Sequence, residues 1–219
     1  MIEPPERSPA RDAAIEAALP LVPRLGWNLA TVGAALAGSG ADGRDAAVLF
    51  PGGTGDLLEA FCDLADRRME AEAAGMDLAA RKLPARVRAL IALRLAQQRP
   101  HKTAISRAVA LLALPRHASL AARCTARTVD AIWHAAGDRS ADFSWYTKRA
   151  ILAGVYTSTV LFWLSDSGDA DGEGDTATLA FLDRRLADVG RIGRLRRRVS
   201  ACLPGQRETP QTSAPAPPA

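Results

Sequence analysis

The sequence predicts an all-α protein, and three observations carry that reading. Ala, Leu and Arg are abundant while aromatic residues make up 5% of the chain, a balance that suits helices better than strands. Apolar residues recur at three- and four-residue spacing in one segment after another, the period of a helix with a buried face. Prolines fall at the ends of those segments, where they stop one helix or start the next. At 219 residues the chain permits one domain of good size with short tails.

Residues 1–10 hold three prolines and read as a flexible arm. A short helix is expected over 11–19, broken by Pro20 and Pro23, then a second over 28–37 ended by Gly38-Ser39-Gly40. Asp42 is placed to cap a third, over 43–49, which Pro51 stops. Residues 53–74 make a longer helix with Leu57, Leu58, Phe61, Leu64 and Met69 at helical spacing. The next, from Leu83 to the stop at Pro100, sets Val87, Leu90, Ile91 and Leu95 against Arg86, Arg88, Arg94 and Arg99 on the opposite side. Helices over 101–114 and 117–136 follow; the second carries a small-residue stripe, Ala121, Cys124, Thr128, Ala131 and Ala135, that lets a neighbour approach closely.

Residues 138–166 are the stretch around which the rest is organised. Asp142 is placed to cap a helix, and from Ala150 to Ser165 no side chain is charged at neutral pH. Apolar residues lie nearly all round, which marks a buried helix; the run is too short and too rich in Thr and Ser for a membrane span of ~20 residues. At its start Trp145, Tyr146, Lys148 and Arg149 crowd together, although cations are unfavourable at that end of the helix dipole. Two readings stand: both rings packed inside with the cations paired to Asp138 and Asp142, or a surface patch for another protein, where Trp, Tyr and Arg dominate.

The run from Ala131 to Tyr156, with Trp145-Tyr146-Thr147-Lys148-Arg149 at its centre, resembles the signature of the ubiquinone biosynthesis accessory proteins. The stretch 180–189 fits the same family, and the likeness extends loosely over 11–203. The resemblance implies an all-helical, TetR-type bundle that binds lipid without catalysing a reaction. It also implies that an isoprenoid quinone precursor or other lipid is presented to the di-iron demethoxyubiquinone hydroxylase, with Asp142, Trp145, Tyr146, Lys148 and Arg149 as the contact. A homodimer is expected.

Residues 11–51 resemble the helix-turn-helix end of TetR-type repressors: Gly26-Trp27, Thr31-Val32, a Gly-bearing turn, a short third helix, Phe50-Pro51 and Asp56-Leu57-Leu58. A DNA-binding regulator is therefore the alternative. A recognition helix must face phosphates with basic side chains. Here Asp42 and Asp45 flank a single Arg44, and no Lys precedes Lys82, so a remnant without nucleic-acid binding is expected.

Four acids and three glycines at 167–175 lack the spacing of a calcium loop and read as a solvated connection. A helix over 176–190 then turns Leu179, Leu182, Leu186 and Val189 inward. Residues 191–203 change character, with five arginines and no acid. Ile192, Leu195, Val199 and Leu203 repeat at helical spacing beside Arg194, Arg197 and Arg198, the pattern of a helix lying on an anionic membrane surface; a basic helix docked on the domain and nucleic-acid contact are the other readings. Residues 204–219, rich in Pro, Ala, Thr and Ser, are expected to be disordered.

Catalytic patterns are missing. None of His101, His117 and His134 forms a zinc-protease or di-iron motif, no phosphate-cradling glycine loop sits before a Lys, and no nucleophile elbow exists. Neither metal nor cofactor is expected. His134, beside Trp133, is expected to face the core or a pocket. A bundle can enclose a ligand between its helices; Trp133, Tyr156, Leu161, Phe162 and Leu182 are the candidate lining residues, each of which dry core would also explain. Cys62, Cys124 and Cys202 are far apart and odd in number, as in a reducing compartment. With a start that has neither signal nor presequence character, this leads to an expected place in a bacterial cytoplasm, against the inner membrane.

Overall fold

A computed structural model describes the backbone of residues 4–138, 144–168 and 175–202, and the side chains of these except 144–145 and 191–202. Every regular element among the described residues is helical. The chain opens with α1 (Pro9–Ala18), where Ser8 Oγ accepts from the Arg11 N–H at 3.2 Å and Pro9 occupies a position whose N–H has no helical partner. Between Pro20 and Trp27 a single turn forms, α2 (Val22–Leu25), with Pro23 near its start. The expected break is therefore partly helical, because proline is excluded from a helix interior and not from its first turn. Asn28 caps α3 (Leu29–Gly38) by accepting from Thr31 N–H at 2.9 Å. The third helix, α4, is only Asp45–Leu49, and Asp42 caps the turn before it through Arg44 N–H.

Helices α1, α3 and α4 pack on one another, with α1 and α3 against α5 (Gly53–Ala73). Arg11, 3% exposed, holds them there: Nη1 donates to Leu49 O at 2.6 Å, Nη2 pairs with Asp56, and the guanidinium lies 4.7 Å from the centre of the Phe50 ring. Trp27 packs on Phe61 and donates Nε1–H to Ala104 O at 2.8 Å, tying the same unit to the main bundle. Gly33 and Gly43 meet backbone to backbone; a Cβ on Gly33 would lie 2.9 Å from Gly43 O.

The main bundle is α5, α6 (Leu83–Gln98), α7 (Lys102–Leu112), α8 (Ala118–Ala135), α9 (Ser144–Ser165) and α10 (Thr176–Cys202). The small stripe of α8 faces α5, with Cys124 and Thr128 buried in that contact. Helix α10 lies on α9 and α6, secured by Leu182 in the core and by Arg88 Nε donating to Asp183 at 2.6 Å.

Two expectations change. A single helix runs through residue 190, so no break separates 176–190 from 191–202. An interior Gly costs a helix about 1 kcal/mol, which Gly190 and Gly193 impose without ending it. The second change concerns α9. Leu152, Val155, Thr159 and Trp163 are buried, but Ala150, Ile151, Gly154, Thr157 and Leu161 form an uncharged exposed strip. The expected burial all round fails because the principal neighbours, α8 and α10, cover one side.

Candidate functional site

A cavity of about 310 Å³ lies between α5, α6, α7, α8 and α9. It exists because small residues face one another across the bundle: Ala65 on α5, Ala108 on α7, Ala121 and Cys124 on α8. Longer side chains would have closed the space, as protein interiors normally do. Phe61, Leu95, Ile105, Val109, Leu112 and Val160 supply most of the remaining wall. Exposed Ala113, Thr157 and Leu161 mark the mouth, and the buried residues Ala65, Arg94 and Thr128 the floor.

The floor carries a buried polar cluster. Arg94 and Asp66 are 6% and 5% exposed, with Nη1 and Oδ1 3.0 Å apart, yet neither of those two atoms is in a hydrogen bond. Arg94 Nε–H donates to Tyr156 Oη at 2.8 Å, and Thr128 Oγ1–H to Asp66 Oδ2 at 3.0 Å. Burial pushes the Asp66 carboxyl up to about 6, against the pull of Arg94. Arg94 stays charged: desolvation is the largest single effect and lowers its pKa, but Asp66, Tyr156 and Cys62 together outweigh it. Burial likewise raises the Tyr156 phenol. On the same wall the Cys62 thiol hydrogen-bonds Cys124 and is held protonated by that bond and by burial.

Of the five candidate lining residues, the structure brings Tyr156 and Leu161 to this cavity. Trp133 and Leu182 are buried in core away from it, and Phe162 stacks on Phe181 with ring centres 4.5 Å apart. Arg94 belongs inside, not on the charged side of α6. It follows Val87, Leu90 and Ile91 by seven, four and three residues, and that apolar spacing was the available signal. Trp163, on the same helix as Tyr156, also reaches the wall; its Nε1–H donates to Asp175 at 3.0 Å. His134 is on the surface, Nδ1 3.1 Å from Glu70 Oε1, because the buried side of α8 passes through Ile132 and Trp133 instead.

At the start of α9, Tyr146 is 76% exposed, so its ring is not core. Lys148 Nζ lies 3.5 Å from Asp138, and Arg149 pairs with Asp130 on α8, the partner that the sequence reading missed. Asp142 and Leu203 lie outside the described residues, as do the side chains of Trp145, Ile192, Arg194, Leu195, Arg197, Arg198 and Val199. Among the described residues no helix is long and apolar enough to cross a membrane, and no cluster of three or more His, Cys, Asp or Glu could hold a metal ion.

Residues 118–193, which contain Tyr156, Leu161 and the Trp145 stretch, match the COQ9 family model. The ubiquinone biosynthesis protein COQ9, mitochondrial, of Rattus norvegicus is 31% identical over 194 residues, 85% of this chain and 61% of that one. Over most of its length the chain is similar to COQ9 proteins. COQ9-A of Xenopus laevis is 32% identical, with 82% of this chain and 57% of the relative covered. COQ9 of Drosophila melanogaster is 33% identical, with 80% and 53% covered. The chain thus spans little more than half the length of these COQ9 relatives. A TetR transcriptional regulator from Nitrosomonas europaea superposes with a TM-score of 0.64 at 23% identity, covering 82% of this chain and 97% of the other, which gives this chain a TetR-like fold. The expected place in a bacterial cytoplasm at the inner membrane is overturned, because the COQ9 relatives are mitochondrial proteins. Reduced thiols and the character of an N-terminus do not separate these compartments.

Proposed function

We propose that this chain is a non-catalytic lipid-binding accessory protein of ubiquinone biosynthesis, which takes an isoprenoid quinone precursor into the cavity and presents it to the demethoxyubiquinone hydroxylase. The observation that carries the reading is the apolar cavity itself, much of whose wall falls within the stretch matched by the COQ9 family model. Its volume is in the range of small-molecule sites, its walls are chiefly carbon, and its mouth opens through Leu161. Tyr156 and Leu161 contact the ligand, while Trp133, Phe162 and Leu182 support the helices behind.

Presentation needs a partner surface and a route to lipid. The patch of Asp142, Trp145, Tyr146, Lys148 and Arg149 docks the hydroxylase, with exposed Tyr146 as one anchor. The end of α10, through Ile192, Leu195, Val199 and Leu203 with Arg194, Arg197 and Arg198, rests on an anionic membrane. A second copy of the chain covers the part of the exposed α9 strip at Ala150, Ile151 and Gly154, which leaves the mouth at Leu161 open.

A DNA-binding regulator is the competing reading, and it rests on fold alone. Arg44, which directly precedes α4, is paired with Asp42 at 2.7 Å, and Asp45 begins the helix, so the electrostatic footprint for phosphate is weak. The test is deletion of the gene: ubiquinone should fall and its demethoxy precursor accumulate, with both restored by re-expression. An unchanged quinone profile would overturn the proposal.

A further inference from the structure

The floor of the cavity is more than a stabilising ion pair. Arg94 carries five N–H donors and is 6% exposed, yet its one hydrogen bond runs from Nε to Tyr156. Nη1 is buried without a hydrogen bond despite its closeness to Asp66. One turn on along α6, Gln98 lines the same cavity, and its Oε1 atom is buried without a hydrogen bond. A buried polar atom left unpaired is destabilising, so a dry cavity leaves this end unsatisfied. The mouth, at Ala113, Thr157 and Leu161, has no charged group. Polarity is therefore graded along the cavity, donors and an acceptor at the closed end and carbon at the open one.

We propose that Arg94, Tyr156 and Gln98 form a headgroup site that binds a neutral oxygen-bearing ring, a quinone carbonyl or a phenol, so that an amphipathic ligand enters head first. The proposal rests on the reading of the cavity as a lipid site and adds its polarity and its ligand class. Arg94 donates to the ring oxygen, and Gln98 Oε1 accepts from a hydroxyl where one is present. The hydrocarbon tail runs past Ile105 and Val160 and leaves beside Leu161. Asp66 decides the charge of the ligand. It already balances Arg94 at 3.0 Å, so a carboxylate or phosphate headgroup would meet a second negative charge in a buried site.

The test compares a decyl-substituted dimethoxybenzoquinone, decylbenzene and dodecanoic acid as competitors for a neutral fluorescent hydrophobic probe, on the full chain at pH 8. The quinone should bind at least about tenfold more tightly than decylbenzene, the worth of one hydrogen bond from a charged donor. Dodecanoate should gain nothing over decylbenzene. In Arg94→Met with Asp66→Asn, which removes both charges together, the quinone should fall to the level of decylbenzene while decylbenzene holds its affinity. Tyr156→Phe, a milder change that leaves the ion pair in place, should cost the quinone several-fold and decylbenzene nothing. Equal binding of quinone and decylbenzene by the parent overturns the headgroup site, as does a quinone advantage that survives in the double variant or is untouched in Tyr156→Phe. Dodecanoate as the tightest ligand overturns the neutral headgroup. Failure of quinone and decylbenzene alike to bind the parent overturns the lipid cavity itself.

Discussion

Arg94→Met tests whether the buried cluster is held by mutual compensation. Met keeps much of the length of the side chain, but it withdraws the positive charge that faces Asp66 at 3.0 Å. A buried carboxylate left alone costs about 3–5 kcal/mol, and a loss of that size is expected in urea unfolding at pH 8. Adding Asp66→Asn, which can still accept from Thr128, removes the orphaned charge and should return stability to within about 1 kcal/mol of the parent, since a neutral pair of similar volume carries no desolvation penalty. The pH dependence has a fixed sign. Burial raises Asp66 from 3.8 in the reference state to about 6 in the fold, so the folded protein holds the proton more tightly than the unfolded chain. The resulting stabilisation is complete below the unfolded value and is lost as pH rises through about 6. Between pH 8 and pH 5 the parent should gain about 1.4 kcal/mol relative to the double variant. The groups facing Asp66 are Arg94 on α6, Thr128 on α8, Tyr156 on α9 and, along its own helix, Cys62, Asp63 and Glu70. Urea titrations at four pH values on the three proteins provide the check. A single variant within about 1 kcal/mol of the parent, or identical pH slopes in parent and double variant, would refute the reasoning.

Other perturbations separate the remaining parts of the account. Ala108→Phe places a ring in the cavity, so quinone binding should be lost while the melting temperature stays near the parent; unchanged binding in a displacement assay would remove this cavity as the lipid site. Trp145→Ala or Tyr146→Ala should weaken hydroxylase binding roughly thirtyfold, measured by calorimetry, with lipid binding intact; loss of folding together with binding would make that ring structural. Truncation after Gly190 should leave the bundle folded, since Val189 packs against the core, and should abolish sedimentation with anionic vesicles. A truncated chain that sediments like the full one would move membrane contact elsewhere. Gly33→Val drives a side chain into the Gly43 carbonyl, 2.9 Å from where the Cβ would stand, and should lower stability by about 1–3 kcal/mol in a thermal melt.

Most of the helical layout was legible because the markers are local. Pro84 and Pro100 bound α6 and a three- to four-residue spacing fixes the inward faces, whereas the caps Ser8 and Asn28 were equally local signals that went unread. What depends on distant neighbours was not legible. The exposed strip of α9 reads as core in sequence, because Ile151 and Leu161 are apolar whether or not another helix covers them. The floor of the cavity was half legible: Arg94 and Asp66 each continue an apolar spacing, but their pairing joins α6 to α5 across 28 positions. Tyr156 and Leu161 reach the cavity and Trp133, Phe162 and Leu182 do not, a division set by helix rotation in the bundle. No composition argument supplies that rotation. Arg149 shows the same limit, since its partner Asp130 sits on α8 and not in the adjoining loop.

The central claim is that this bundle carries a quinone-type lipid between its helices. Its most direct test is organic extraction and mass spectrometry of protein purified from cells that make ubiquinone, with Ala108→Phe prepared in parallel. The account predicts an isoprenoid quinone or its precursor in near-stoichiometric amount from the parent and almost none from Ala108→Phe. Repeated preparations of parent without such a lipid, or equal amounts from both proteins, would contradict it.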